Sequence, residues 1–208
     1  MYNFIHLHKY TKNTLIIFFI LNLFYIFVIM KNNFIHSTAI VSDKAKIGNN
    51  NYIGAYVIIE DNVIIGDNNY IGSHSIIGDT GESIKYFDKE KKGIIIGNNN
   101  RFTKQVTIDN GTVHPTIIRD NVLILKNGHV GHDSLICDNV QIRCNGVVGG
   151  HCVLNENTIL CLNSVIQPRI VTPIRAMIGA ASNVTKKSKL ISNYVHYGNP
   201  CKAIRLRS

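Results

Sequence analysis

From Ile35 onward an aliphatic residue stands at every sixth position, and this period limits the possible folds more than any other feature of the chain. Ile35, Val41, Ile47, Ile53, Ile59, Ile65, Ile71 and Ile77 follow one another without a gap. A second run holds Ile96, Phe102 and Ile108. A third holds Ile118, Ile124, Val130, Ile136, Ile142, Val148, Leu154, Leu160, Ile166, Thr172, Ile178 and Val184, and only Thr172 among these is not aliphatic. A helix repeats its apolar face about every 3.6 residues and a strand about every 2, so neither produces a strict hexad. A solenoid does. Each hexad supplies a short strand and a turn, three hexads close a triangular coil, and the recurring aliphatic side chains stack inward as a narrow core. Five residues of the first run are followed directly by glycine: Gly48, Gly54, Gly66, Gly72 and Gly78. These glycines, together with Asn155 and the NNN stretches at 49–51 and 98–100, are expected at corners, where the backbone takes dihedrals that Gly and Asn tolerate.

Two breaks interrupt the hexads. One, between Ile77 and Ile96, carries the charged stretch GDTGESIKYFDKEKKG; the other, between Ile108 and Ile118, carries NGTVHPT. Insertions in a solenoid project from a corner and often build the binding face. The organisation expected is an apolar segment over 1–30, a β-helix over 31–185, and a basic cap over 186–208. Leu15 to Met30 is an almost unbroken apolar run preceded by Lys9 and Lys12. It is short for a membrane span and lacks a small-residue cleavage site. It reads as a membrane anchor, as an uncleaved signal-like segment, or as translated upstream DNA before a start at Met30, and plays no part in the fold argument.

Composition narrows the class. Apolar residues make up 45% and charged residues only 17%, which argues against a charged disordered chain. The formal net charge of +9 favours acidic partners: phosphates, nucleic acid, an acidic carrier protein or an anionic membrane surface. Basic residues concentrate in the insertion and tail without aromatic interleaving, so nucleic-acid binding has nothing beyond charge to support it. Five cysteines with no CxxC pair argue against a disulfide framework or zinc knuckle, and point to a reducing, cytoplasmic compartment. No glycine-rich nucleotide fingerprint is present.

The residues able to carry chemistry centre on GHVGHD, 128–133. His129 and His132 are three apart, and Asp133 adjoins the second. Histidine is the natural general base near neutral pH, and a carboxylate beside it fixes its tautomer. Adjacency alone leaves open whether Asp133 or a group from another coil is that partner. His151 follows His132 by about one coil, so the two imidazoles are expected side by side. Polar side chains at these turns are expected to face outward.

The hexads resemble the hexapeptide-repeat family. That resemblance implies an all-β, left-handed parallel β-helix and a homotrimer whose sites lie between subunits. The handedness comes from the resemblance, since the usual crossover rule is right-handed. RFTKQVTIDNGT at 101–112, NGHVGHD at 127–133, VVGGHCVL at 147–154 and GESIKY at 81–86 resemble segments of the UDP-N-acetylglucosamine acyltransferases of lipid A synthesis. The resemblance implies His132 as general base, Asp133 as its carboxylate and Gly150 N–H as oxyanion donor. His129, His151, Lys85 and Gln167 would contact substrate. Ser83 stands where that family has a substrate-contacting Asp, and Ile166 where it has a histidine. That family's helical C-terminal domain has no counterpart here.

The tail YGNPCKAIR, 197–205, is similar instead to the close of acetyl-CoA-dependent hexapeptide transferases, which implies Gly198, Asn199, Lys202 and Arg205 beside the CoA phosphates. The expectation is an acetyl-CoA-dependent acetyltransferase acting on a nucleotide-linked sugar in surface polysaccharide or lipopolysaccharide synthesis. One alternative is hydroxyacyl transfer from acyl carrier protein to UDP-N-acetylglucosamine; the other is a non-catalytic binding or assembly module. A metal needs three converging imidazoles, and the arrangement here favours acyl transfer without one. Membrane contact is expected only through residues 15–29.

Overall fold

The computed structural model describes residues 32–81 and 90–207 of the 208. Among these residues there are strands and turns but no helix, and so no helix long and apolar enough to cross a membrane. The Leu15–Met30 segment, Ser83 and Lys85 lie outside the described residues.

Most strands are two residues long, because one inward side chain per hexad is all that each wall of the coil requires. They assemble into three sheets of ten, eight and seven strands, here called the first, second and third faces. The first contains Leu123–Ile124, the second His129–Val130 and the third Leu135–Ile136, after which the chain returns to the first at Gln141–Ile142. Neighbours within a face pair in parallel, typically eighteen residues apart, as in His129 with Val147 and Leu135 with Val153. The result is a parallel β-solenoid, consistent with the left-handed β-helix.

Every hexad residue from Ile53 to Ile178 is buried to within 2% of full. Each buried aliphatic side chain is worth about 1.5–3 kcal/mol, so the stacked ladder is the main source of stability. Thr172 is no exception to the packing: its hydroxyl meets that of Thr158 at 2.9 Å and accepts from Asn155 N–H at 3.1 Å.

The corners differ from the sequence expectation. Left-handed backbone occurs three residues after the inward aliphatic, and non-glycine residues fill it, Asn most often: Asn50, Asn62, Asn68, Asn99, Asn121, Asn127, Asn139, Asn145, Asn157, Asn163 and Asn193. Of the five glycines that follow an aliphatic, Gly78 alone has positive φ, 103°, as expected; Gly48, Gly54, Gly66 and Gly72 have ordinary φ, as does Asn155. These glycines permit close approach of coils. A Cβ on Gly72 would lie 1.3 Å from the Thr103 carbonyl oxygen. The NNN stretches do sit at corners. The middle residue of each (Asn50, Asn99) is left-handed, while the last (Asn51, Asn100) joins a buried ladder. In it Asn69 N–H donates to Asn51 Oδ1 at 2.8 Å, and Asn100 N–H to Asn69 Oδ1 at 2.9 Å.

At the C-terminal end Tyr194–Gly198 adds in parallel to Met177–Ile178 on the first face, then pairs antiparallel with Cys201–Leu206. His196 and Cys201 are buried beneath this hairpin. The His196 ring accepts from Ile191 N–H through Nε2 at 3.0 Å, so its other nitrogen carries the proton and faces the Met177 carbonyl at 3.4 Å.

Candidate active site

The corner between the second and third faces gathers the chemical groups. Its left-handed positions in three successive coils are Asp133, His151 and Arg169, with φ of 58°, 58° and 66°. His132 immediately precedes the first. Its Nδ1 lies 2.6 Å from Asp133 Oδ2, so the carboxylate partner is the adjacent residue itself.

The Asp133 side chain is fully buried, contrary to the outward orientation expected at this turn. The cause is the second break in the hexads, which folds over it. Oδ1 accepts from the N–H groups of Thr112 at 3.1 Å, Val113 at 2.8 Å and His114 at 2.8 Å. Oδ2 accepts from the Thr112 hydroxyl at 2.5 Å as well as facing His132. Asp133 N–H donates to Thr116 Oγ1 at 2.9 Å. Burial alone would raise this carboxyl's pKa; the Thr112 hydroxyl, the His114 N–H, His132 and the Val113 N–H outweigh it and hold the group well below the usual carboxylate range. An ionised carboxylate only accepts, so Nδ1 of His132 carries the proton and Nε2 keeps its lone pair.

That Nε2 faces Gly150. A Cβ there would lie 2.7 Å from Nε2 and 2.9 Å from Cε1, so only glycine leaves the lone pair room. Among the described residues Gly150 N–H donates to no backbone acceptor. His132 and His151 sit edge to face with ring centroids 5.0 Å apart, as the coil spacing predicts. Burial lowers the His151 pKa, with Arg169, His132 and His114 adding to the effect and Asp133 opposing it.

His129 is on the second face in the same coil, but its partners are one coil earlier. Nδ1 lies 2.8 Å from Thr107 Oγ1 and Nε2 3.7 Å from Asp109 Oδ2. Gln167 is exposed at the end of that face, one coil beyond Gly149. The first insertion departs from the site: at Gly81 a Cβ would lie 2.8 Å from His132 Cβ and 2.9 Å from Thr112 Cγ2. Gly198, Asn199, Lys202 and Arg205 are not with this group. Their hairpin extends the first face, the side of the triangular coil opposite the Asp133 corner, so one chain does not bring the tail and the dyad together.

Sequence reasoning missed Thr112, Thr116 and His114. They lie in a break of the period, where no phase assigns a side chain to a face. The same loop bears on metal binding. His114, Asp133 and His151 each offer a ligand atom within 4.8 Å of the others. However, five donors already serve the roughly four lone-pair positions of the Asp133 carboxylate. A cation would have to dismantle the dyad to bind, so the residues do not fit a metal.

The chain thus combines a hexad solenoid with a buried carboxylate–imidazole pair that faces a glycine. Residues 44–79 match the bacterial transferase hexapeptide family (six repeats). LpxA from Acinetobacter baumannii is 29% identical, with a TM-score of 0.73, over 83% of this chain and 74% of that one. The UDP-N-acetylglucosamine acyltransferase from Campylobacter jejuni is 26% identical, with a TM-score of 0.70 and the same coverage. A Bacillus cereus protein of proposed acetyltransferase activity, 24% identical with a TM-score of 0.55 over 83% of this chain and 86% of that one, shares the fold. No curated protein sequence matches the chain. These matches make the chain similar to hexapeptide-repeat acyltransferases and support an acyltransferase.

Proposed function

We propose that this acyltransferase moves an acyl group from a thioester, acetyl-CoA in the first reading, to a hydroxyl or amine of a nucleotide-linked sugar. The observation that carries the reading is the proton-bearing Nδ1 of His132 fixed on Asp133 while Nε2 opens toward Gly150. His132 Nε2 takes the proton of the attacking hydroxyl or amine as its O or N bonds to the thioester carbonyl carbon. Gly150 N–H donates to the carbonyl oxygen as it becomes an oxyanion. When the tetrahedral intermediate collapses, the C–S bond breaks and the imidazolium returns the proton to the departing sulfur. The imidazolium is stabilised throughout by Asp133. His129, His151, Gln167, Ser83 and Lys85 serve the sugar in this reading.

Transfer of a longer acyl chain from acyl carrier protein to UDP-N-acetylglucosamine is favoured by a specific finding: the relatives at 29% and 26% identity, by name, include UDP-N-acetylglucosamine acyltransferase. The GNPCKAIR tail favours CoA. We propose a homotrimer, in which a neighbouring subunit would supply what one chain keeps on its far side. Ile64, Ile95, Ile117, Leu135, Val153 and Val171 form an in-register outward apolar row on the third face that such packing would cover.

The test is a panel of acetyl-CoA, longer acyl-CoA and acyl carrier protein thioesters with nucleotide sugars, alongside light scattering. Turnover of acetyl-CoA supports the first reading. Turnover of carrier-protein thioesters alone supports the second, and no turnover with any donor overturns both.

A further inference from the structure

The interruption at residues 110–116 has a built, not an accidental, relation to the dyad. Its base is fastened to the preceding coil: Gly93 N–H donates to Asn110 Oδ1 at 2.7 Å, and Thr116 N–H donates to the Gly93 carbonyl at 3.1 Å. Asn110 N–H also donates to the Asp79 carbonyl at 2.8 Å. Gly111 turns so tightly that a Cβ would lie 2.0 Å from the His114 carbonyl oxygen. Between these anchors three successive N–H groups, of Thr112, Val113 and His114, converge on Asp133 Oδ1.

Those three bonds anchor Oδ1 and oppose rotation of the planar carboxylate as a whole, but none of them is made to Oδ2, the oxygen that faces the imidazole. The Thr112 hydroxyl anchors that second oxygen. It donates to the same oxygen that faces His132, at 2.5 Å against 2.6 Å for the imidazole nitrogen, and it lies 3.4 Å from that nitrogen. From this we infer that Thr112 is a positioning residue. Its hydroxyl, on a loop that replaces a regular corner, locks the Asp133 carboxylate in the orientation that keeps the proton on His132 Nδ1 and leaves Nε2 free as base. It deepens the acyl-transfer reading and rests on it for the kinetic consequence, while the tautomer itself is independent of any substrate.

A residue that only held the loop would show itself through stability and substrate binding together. A positioning residue shows itself in turnover. Thr112→Val keeps size and branching but loses the hydroxyl. It is expected to lower kcat about tenfold to a hundredfold, below the full worth of a general base, with KM for both substrates within about twofold. Thr112→Ser, which restores the donor, is expected to recover most of the rate. Nitrogen-15 NMR of the His132 ring in the free protein reads the tautomer directly: Nδ1–H in wild type and Thr112→Ser, and a mixed population in Thr112→Val. Unchanged kcat and tautomer in Thr112→Val would overturn the inference, as would a rate loss that Thr112→Ser fails to recover. If no donor in the panel is turned over, the NMR comparison still decides the tautomer claim, so its failure is separable from that of the proposed reaction.

Discussion

Two corners of the same three coils can be set side by side. Between the first and second faces the left-handed positions are Asn127, Asn145 and Asn163; between the second and third they are Asp133, His151 and Arg169. The backbone hardly differs, with φ between 57° and 66° throughout. The asparagines form a ladder of their own, Asn127 Nδ2 donating to Asn145 Oδ1 at 3.0 Å and Asn145 Nδ2 to Asn163 Oδ1 at 2.9 Å. Asn is among the residues that tolerate this conformation best, and most others lose roughly 1–2 kcal/mol in it. One corner is therefore filled by the residue that suits the backbone best and can ladder along it, and the other by three different residues with titratable side chains. Of these Asp133 and His151 tolerate the conformation somewhat less well than Asn, and Arg169 least.

The sharpest way to break the contrast is to remove the base. His132→Ala is expected to lower kcat by about 10²–10⁴ without changing thermal stability or oligomeric state; near-wild-type turnover would put the reaction elsewhere. Asp133→Asn installs at the reactive corner the residue the other corner uses. The amide suits the left-handed backbone, but an NH₂ or neutral oxygen replaces half of an acceptor-only group, so the expected loss in kcat is measurable and smaller than for His132→Ala. Equal rates for Asp133→Asn and wild type would remove Asp133 from the mechanism.

Stability tests the other side of the comparison. His151→Asn is expected to raise stability by up to about 1 kcal/mol while weakening sugar binding. Asn145→Ala is expected to lower it by about 1 kcal/mol with kcat unchanged. Denaturant unfolding that ranked these two variants the other way would contradict the division of labour. Acid gives the smallest effect. His151 and His196 both have pKa values lowered chiefly by burial, so below the ordinary histidine value of about 6.5 the unfolded chain binds more protons than the folded one. Their contribution is complete above that pH and is lost as pH falls through it. Asp133, held low, gives way only below the usual carboxylate range, about pH 4. Tm is therefore expected to begin falling between pH 7 and 5, with a shallower slope in His151→Asn.

How far the sequence reveals all this depends on the period. Ile53 to Ile178 could be assigned inward from spacing alone, because each hexad repeats one environment. The proximity of His132 and His151 followed from the same count. Many of the left-handed positions were also written in the chain, as Asn three residues past an inward aliphatic. The glycine directly after the aliphatic is the more conspicuous signal, yet it answers a different need, clearance between coils. Thr112 was legible only as part of a resemblance, since within a break nothing fixes which wall a residue joins. Spacing carries His196 onto the first face, in phase with Ile178, but does not reveal that the chain then reverses between Gly198 and Cys201, which leaves Lys202 and Arg205 on the far side of their own chain from the dyad.

The triangular coil also gives this polypeptide something like a reading frame. A shift of eighteen residues returns every side chain to the same wall one storey along, roughly 4.8 Å away. A shift of six keeps each aliphatic pointing inward but turns everything after it by one wall. Such a slip between Asp133 and His151 would leave the core chemically intact and still carry Gly150 and His151 around the prism, away from His132. Length changes in this solenoid are thus of two kinds, those in multiples of a whole storey and those that scramble its outer surface while sparing its interior, and only the first kind preserves a site assembled from residues of successive storeys.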